Sequence, residues 1–411
     1  MSAPPVPSAV LTFEDARRVV EAHAAKVRAG TTEVVGLLGA GGRVLAEAVL
    51  ADRDIPPFRR ATRDGYAVRA EDLGSLPATL EVIGEIRAGQ TPQDVPAAVG
   101  RGQAVSIMTG APVPSGADAV VMVEYTVQQG GRVEIVRGVG PGENVVPRGA
   151  EAREGGLLVS PGSRLNDAAI ALGASVGKSR LEVYRRPRVA VLTTGDEIVE
   201  VASSPGPTQI RNSNSYSLAV QIRAAGGEAV ILPIAPDEPR RLRALIEEGL
   251  HSDLLLLTGG VSMGRYDLVE QVLGEMEAEF FFTGAKIQPG RPVVFGRVRE
   301  RYFFGLPGNP VSTMVTFELF AKPLLEALSG LSPRKLAFLH ARLKSEIRVK
   351  TGLKRFLPAL LSGEFENSEV ELVQWQGSGD IAATARANCY IVIPPDRDRF
   401  AAGEFVAVLL R

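Results

Sequence analysis

At 411 residues the chain is too long for one compact core and points to two to four domains. Hydrophobic residues make up 45% and charged residues 23%, and 46 Lys and Arg against 47 Asp and Glu leave a net charge of -1, which argues against a nucleic-acid or membrane-surface partner. A lone Cys389 and three histidines (His23, His251, His340) exclude a disulfide framework and suit no His/Cys-held transition metal. Any metal should therefore be a hard cation held by carboxylates and substrate phosphates, which means magnesium. No run approaches the roughly 20 apolar residues of a membrane span. The opening MSAPPVPSAV lacks the charge and apolar stretch of a signal peptide, so a cytoplasmic location is expected.

The first helix starts at Thr12, which can cap it with Asp15 three residues on. Ala16, Val19, Val20, Ala24 and Val27 recur at helical spacing, and Gly30 is the expected stop. Gly39-Ala40-Gly41-Gly42 reads as a turn. From Ala51 to about Arg148 short β-rich runs (82–86, 104–108, 119–124, 132–136) alternate with Gly and Pro turns, the texture of an all-β insertion. A helix over 166–176 follows and is placed to pack back on the first helix. From Pro187 strands and helices alternate: strands at 188–192, 229–234, 253–257 and 302–305, helices from Ser215, from Pro239 and from Pro310 to about Leu328. That alternation implies a parallel sheet covered on both faces. Beyond Pro333 five β runs (342–349, 356–361, 370–374, 389–393, 405–410) imply a small barrel or sandwich. The fold class is thus α/β plus all-β, in several domains.

Three α/β strands run into loops rich in Gly and polar residues: Thr193-Thr194-Gly195-Asp196-Glu197, Thr258-Gly259-Gly260-Val261-Ser262 and Leu306-Pro307-Gly308-Asn309-Pro310. In a doubly wound sheet such loops lie together where ligands bind, and helix N-termini beside them suit anions. Asp196, Glu197, Asp237 and Asp267 cluster at the same end. Carboxylates beside a phosphate cradle repel it unless a cation bridges them, and magnesium resolves that conflict. Asp237, just before Pro239, is also placed to cap its helix.

In order, Arg63-Asp64-Gly65-Tyr66-Ala67, Ile107 to Pro114, Gly116 to Val121, Thr194 to Glu197, Gly259 to Gly264 with Asp267, and Leu306 to Ser312 resemble the molybdopterin molybdenumtransferase family, which includes bacterial MoeA and the gephyrin E domain. Gly377-Ser378-Gly379 with 385–394 fits the same family, so the resemblance spans nearly the whole chain. It implies an elongated homodimer of four domains, set on the texture of the sequence at 8–50 with 149–183, 51–148, 184–333 and 334–411. It implies a cleft between the α/β domain of one subunit and the β insertion of the other. The reaction it implies inserts molybdate into adenylylated molybdopterin, cleaves the pyrophosphate link and releases AMP. Transient contact with other enzymes of molybdenum cofactor synthesis would go with that role.

By motif, the resemblance makes Asp64, Glu197, Asp237 and Asp267 the catalytic acids, with the last three holding magnesium. It makes Thr109, Gly259, Gly260, Ser262, Pro307, Gly308, Asn309 and Pro310 substrate contacts. Lys286, Arg291 and Arg265 are the local cations assigned to phosphate or molybdate. Thr109 before Gly110 and Asp64 before Gly65 also suit plain turns. Three positions depart from the family pattern. Arg63 stands where Met is common, Gly149-Ala150-Glu151 replaces Gly-Glu-Asp, and Gln288 with Arg291 replaces two lysines. Two other functions compete: an adenylyltransferase on a related α/β domain, and a peptide-binding scaffold. The β insertion and barrel argue against the first, and four retained acids against the second.

Overall fold

The computed structural model describes residues 9–90, 98–260, 268–332 and 334–411. The first helix, Phe13–Ala24, is capped by Thr12, whose hydroxyl accepts from the Asp15 N–H at 3.1 Å. It ends at Ala24, a turn before Val27 and well short of Gly30. Phe13, Ala16, Val20 and Ala24 form its buried face. Its destination corrects the sequence reading. Phe13 packs on Phe320 and Phe356, at 6.1 and 5.3 Å between ring centres, so the helix joins the α/β core and the barrel. The helix Asp167–Ser175, capped by Asn166, packs instead with Leu37, Leu45, Val49 and Val183 in a separate small core.

The β insertion is one six-stranded sheet in the order Ala119–Met122, Gly65–Val68, Gln103–Ile107, Ala78–Ile86, Arg132–Ile135, Thr126–Gln129. Alternate residues of the same strands serve two cores, as the period of two requires. Ala67, Val105 and Val120 face one core, and Tyr66, Val68, Ala104 and Val121 the other. Among the described residues both cores draw only on the stretch from Ala61 to Val145.

In the α/β region Glu228–Ile231, Arg188–Thr193, Leu254–Thr258 and Arg301–Leu306 run parallel in that order. Leu254–Thr258 is buried along its whole length, as a strand covered on both faces should be. Pro239–Gly249 and Leu268–Glu275 cover one face, and Asn214–Ala224 with the helical run from Pro310 to Leu328 covers the other. The sheet is mixed rather than purely parallel. Val294–Val298 and Glu279–Phe282 extend it antiparallel beyond Arg301–Leu306. The two-residue turn at Arg299 and Glu300, with φ of 47° and 54°, has the doubly left-handed backbone that suits a tight hairpin.

The last region closes into a five-stranded barrel. Lys354–Ser362, Glu369–Leu372, Leu339–Leu343, Phe405–Leu410 and Cys389–Ile393 pair in turn, and the last pairs back onto the first. Ile287–Gln288 adds alongside Lys354 and Arg355, so a loop of the α/β region is stitched to the barrel by main-chain pairing. No helix of the described residues is long and apolar enough to cross a membrane.

Candidate active site

Register places the ends of three strands level. Thr193 lies beside Thr258, and Thr258 beside Leu306. Their loops enclose a cleft of about 370 Å³, whose lining includes Thr194, Glu197, Asn214, Gly259, Pro307 and Asn309. The chain reverses order here, between the strand that starts the sheet and the third, which is where an open α/β sheet splits its loops apart. Gly259 sits at φ +88°, and a Cβ there would stand 2.5 Å from the Thr194 carbonyl oxygen. Only glycine lets these two loops approach so closely.

The cleft floor is a buried polar network. Thr193 Oγ1 and Ser215 Oγ are 2.8 Å apart, and Asn212 Nδ2 donates to Ser215 Oγ at 3.0 Å. Asn214 Nδ2 donates to Thr258 Oγ1 at 2.9 Å and to the Gly308 carbonyl at 2.7 Å. Thr258 Oγ1 in turn donates to the Pro307 carbonyl at 3.1 Å, which also accepts from Thr313 Oγ1 at 2.5 Å. Such a network holds loops in one arrangement, because breaking one member strands another in a low dielectric.

Of the residues picked from sequence, Glu197, Gly259, Gly260, Pro307, Gly308 and Asn309 line the cleft. Asp237 does not line it but stands close by. Its N–H donates to Asp196 Oδ1 at 3.1 Å, where Ala235 bridges to Thr194. The helix Pro239–Gly249 begins at Glu238 with no side-chain cap, so capping does not account for Asp237. Pro310 opens the helix behind Asn309, which is tied to the barrel by Asn309 Nδ2 donating to Ser378 Oγ at 2.9 Å. Lys286 and Arg291 are exposed and lie outside the lining, although Pro292 is part of it. Ser262, Arg265 and Asp267 lie outside the described residues. Among the described residues no group of three or more His, Cys, Asp or Glu side chains is gathered for a metal.

Sequence reasoning passed over Asn212, Asn214 and Ser215. Their signal was a cluster of small polar side chains, Asn212 to Ser215, directly before the apolar stripe Leu218, Ala219 and Ile222 of the helix. The departures are locally explained. Glu151 accepts from Arg60 at 3.0 Å, and Gln288 serves the barrel pairing through its main chain. Arg63 is exposed and donates to its neighbour's carbonyl.

Asp64 and Thr109 form a second constellation in the β insertion, and neither lines the cleft of their own chain. Asp64 Oδ1 accepts from the Thr109 N–H at 2.6 Å and from its hydroxyl at 2.7 Å. These donors, the main-chain N–H first, hold the Asp64 carboxyl below the usual carboxylate range. Gly65 fixes the pair's position, because a Cβ there would lie 1.8 Å from the Val121 carbonyl oxygen of the adjoining strand.

Comparison with known proteins covers almost the entire chain. Residues 11–177 match the family described as "MoeA N-terminal region (domain I and II)", 190–327 "Probable molybdopterin binding domain", and 340–410 "MoeA C-terminal region (domain IV)". The chain is similar to the molybdopterin molybdenumtransferase of a Nostoc species, 35% identical over 390 residues, spanning 92% of this chain and 88% of that one. It is similarly related to the Bacillus subtilis molybdopterin molybdenumtransferase, 33% identical over 391 residues, 93% and 90% of the two chains. A molybdopterin biosynthesis moeA protein from Pyrococcus horikoshii OT3 superposes with a TM-score of 0.79 at 28% identity, over 98% of this chain and 100% of that one.

Proposed function

This chain belongs to the molybdopterin molybdenumtransferase family and is a transferase enzyme, and from that premise we propose that it inserts molybdate into adenylylated molybdopterin, with magnesium-assisted cleavage of the pyrophosphate link and release of AMP. The observation that carries the reading is the convergence of three strand ends on one cleft, with Glu197 among its lining and a rigid polar floor beneath. That is where an open α/β sheet binds a phosphorylated ligand.

Magnesium fits the chemistry of the donors. Glu197 and Asp237 offer only carboxylate oxygens, and with Asp267 they form the set assigned to the ion. Substrate phosphates would complete the shell, since this ion binds through one or two carboxylates more often than through a full protein cage. Bound there, it would neutralise charge on the pyrophosphate as the link breaks.

The remaining tasks fall to this chain's own side chains. Lys286 and Arg291 are the cations assigned to phosphate or molybdate, and Arg291 adjoins Pro292 of the cleft lining. Gly259, Gly260 and Gly308 let main chain approach the ligand, with Thr109, Ser262, Asn309 and the prolines 307 and 310 shaping the walls. Asp64 and Thr109 would come from a second copy of the chain in a homodimer, because their own copy keeps them out of the cleft lining. A cytoplasmic location and transient contact with other enzymes of cofactor synthesis go with this reading. The test is AMP release from adenylylated molybdopterin, with magnesium present and molybdate titrated from zero. Release should require molybdate, and full-rate release without it would overturn the coupling.

A further inference from the structure

We propose that the pole of the α/β sheet opposite the cleft binds a polyphosphate group, free or carried by a nucleotide, in an arginine-lined cavity of about 450 Å³. This site stands apart from the cleft and from whatever the cleft binds.

Arg28, Arg185, Arg186, Arg188 and Arg301 line this cavity, and all of them are exposed. They meet where strands begin: Arg188 and Arg301 open two of them, and Asp253 precedes a third. An open α/β sheet binds its ligands at the carboxyl ends of its strands, so the fold itself does not call for this cavity. The length of Leu254–Thr258 separates it from the cleft by about 17 Å. Main-chain bonds hold the array in place. The Arg185 N–H donates to the Thr31 carbonyl at 2.9 Å, joining the segment after the first helix to the linker before the sheet. The Arg188 N–H donates to Asp253 Oδ2 at 2.8 Å, and Arg301 stands 3.6 Å from Oδ1 of the same carboxylate. Asp253 is the one acid among the described lining residues, and it is already engaged. Among the described residues the side chains of Arg28, Arg185, Arg186 and Arg188 form no ion pair, whereas Arg301 does. Outside the described residues the only acids are Asp94 and Asp267, and their nearest described neighbours in the chain, Gln90, Ala98 and Leu268, line no part of the cavity.

An adjoining cavity of about 540 Å³ shares Arg28, Asp253 and Arg301 and shows the contrast. There Arg297 pairs with Glu279 at 3.0 Å and with Glu300 at 3.9 Å, so its charge is compensated within the protein. The arginine cavity lacks such compensation among the described residues. In a chain of net charge -1, like charges gathered in this way repel one another unless an anion joins them. Each guanidinium presents a planar fork that matches a pair of phosphate oxygens, and the volume is that of a small-ligand site. Pro187 and Leu328 are the only sizeable apolar side chains among the described lining residues, too few for the core of a protein interface. A compact anion with several charges fits these features.

The experiment measures binding of tripolyphosphate and of ATP to the full-length protein by calorimetry, with magnesium chelated. Tripolyphosphate should bind the wild type, and the double variant Arg185→Ala, Arg186→Ala should bind it on the order of tenfold more weakly. Both substituted side chains are exposed and the bond from Arg185 to Thr31 is main-chain, so that variant keeps the fold. Arg101→Ala with Arg132→Ala removes the same charge from exposed positions of the β insertion, and should leave binding within about twofold because distant charges are screened. Lys286→Ala with Arg291→Ala removes the cations assigned to the cleft and should likewise leave it unchanged. Tighter binding of ATP than of tripolyphosphate, lost with Arg185 and Arg186, would identify a nucleotide as the carrier, and parity would identify the phosphates alone. Absence of tripolyphosphate binding to the wild type would overturn the proposal. So would unchanged binding in the Arg185 and Arg186 variant, an equal loss in the Arg101 and Arg132 variant, or a loss confined to the Lys286 and Arg291 variant. An oligoglutamate peptide that binds the wild type as tightly as tripolyphosphate would also overturn it, since the cavity would then serve acidic protein segments.

Discussion

The cleft at the strand ends and the Asp64–Thr109 pair use the same vocabulary of hydroxyls, carboxylates and tight glycine turns, yet they are built differently. Thr193, Thr258, Asn214 and Ser215 are buried and cross-linked before any ligand arrives. Asp64 and Thr109 are exposed, and among the described residues their side chains bond to each other at the ends of two neighbouring inner strands of a sheet with its own two cores. The first region is preorganised, and its partners do not have to be ordered at the moment of binding. On the function proposed above, the second is half a site. An exposed carboxylate in water contributes little electrostatic force, and it gains strength only if another surface docks over it and excludes solvent. That contrast is the physical argument for a cleft completed by a second subunit.

The sharpest way to test the preorganised half is Glu197→Gln. The substitution keeps shape and removes one charge from an exposed side chain in the cleft lining. Activity should fall by at least about a hundredfold, with folding stability unchanged within about 0.5 kcal/mol. Wild-type turnover at limiting magnesium would remove Glu197 from the metal set. The next test asks whether the halves meet across subunits. Asp64→Ala and Glu197→Ala proteins, each inactive, are mixed and allowed to exchange subunits. Activity should recover to about a quarter of wild type, since half of the dimers are hybrids and each holds one intact site of two. Proven exchange without recovery would place both halves on one chain.

A smaller effect separates floor from rim. Ser215 is fully buried and bonded to Thr193 and Asn212, so Ser215→Ala leaves two polar partners short of a bond. Its cost should be about 1–3 kcal/mol in denaturant unfolding of the α/β region, while the Asp64 carboxyl titrates as before. Loss of less than about 0.5 kcal/mol would mean that the floor relaxes freely and is not preorganised.

How much of this could be read from sequence follows from the same contrast. The apolar strands 188–192 and 253–257 and the glycine loops behind them were legible because a strand buried on both faces leaves an unbroken apolar run. The antiparallel edge was not. Its hairpin turns on Arg299 and Glu300, residues with no Asn-Gly signal for a left-handed turn. The strand Gly65–Val68 was also missed, since four residues carry too short a period to stand out, yet all four are buried at the centre of the insertion's sheet. The first helix was legible in its cap and stripe. Its partner was not, because an apolar stripe states that a face is buried and not against what. Asn214 was hidden for a related reason. A polar residue before a helix reads as a cap, and its two-loop clamp exists only after distant strand ends come level.

The exposed pair offers the finest discrimination, through Thr109→Val. Valine keeps the β-branched shape and the main-chain N–H, and deletes only the hydroxyl that donates to Asp64 Oδ1 at 2.7 Å. The Asp64 carboxyl is held below its ordinary value by the main-chain N–H first and the hydroxyl second. Losing the hydroxyl should raise its pKa part of the way back towards the unperturbed carboxylate value and no further. The sign for stability follows from the depressed folded value. The pair's contribution is present above the unfolded carboxylate pKa and fades as pH falls through the lower, folded one. At neutral pH Asp64 stays ionised in both proteins, so turnover there should change little if its charge is what the second subunit's cleft uses. The acid limb of the pH–rate profile should instead move to higher pH, in step with the carboxyl carbon shift followed by NMR. An unmoved carboxyl would show that the hydroxyl is spent on solvent. A moved carboxyl with an unmoved acid limb would show that Asp64 serves the turn alone, and the second half of the site would have to be sought elsewhere on the insertion.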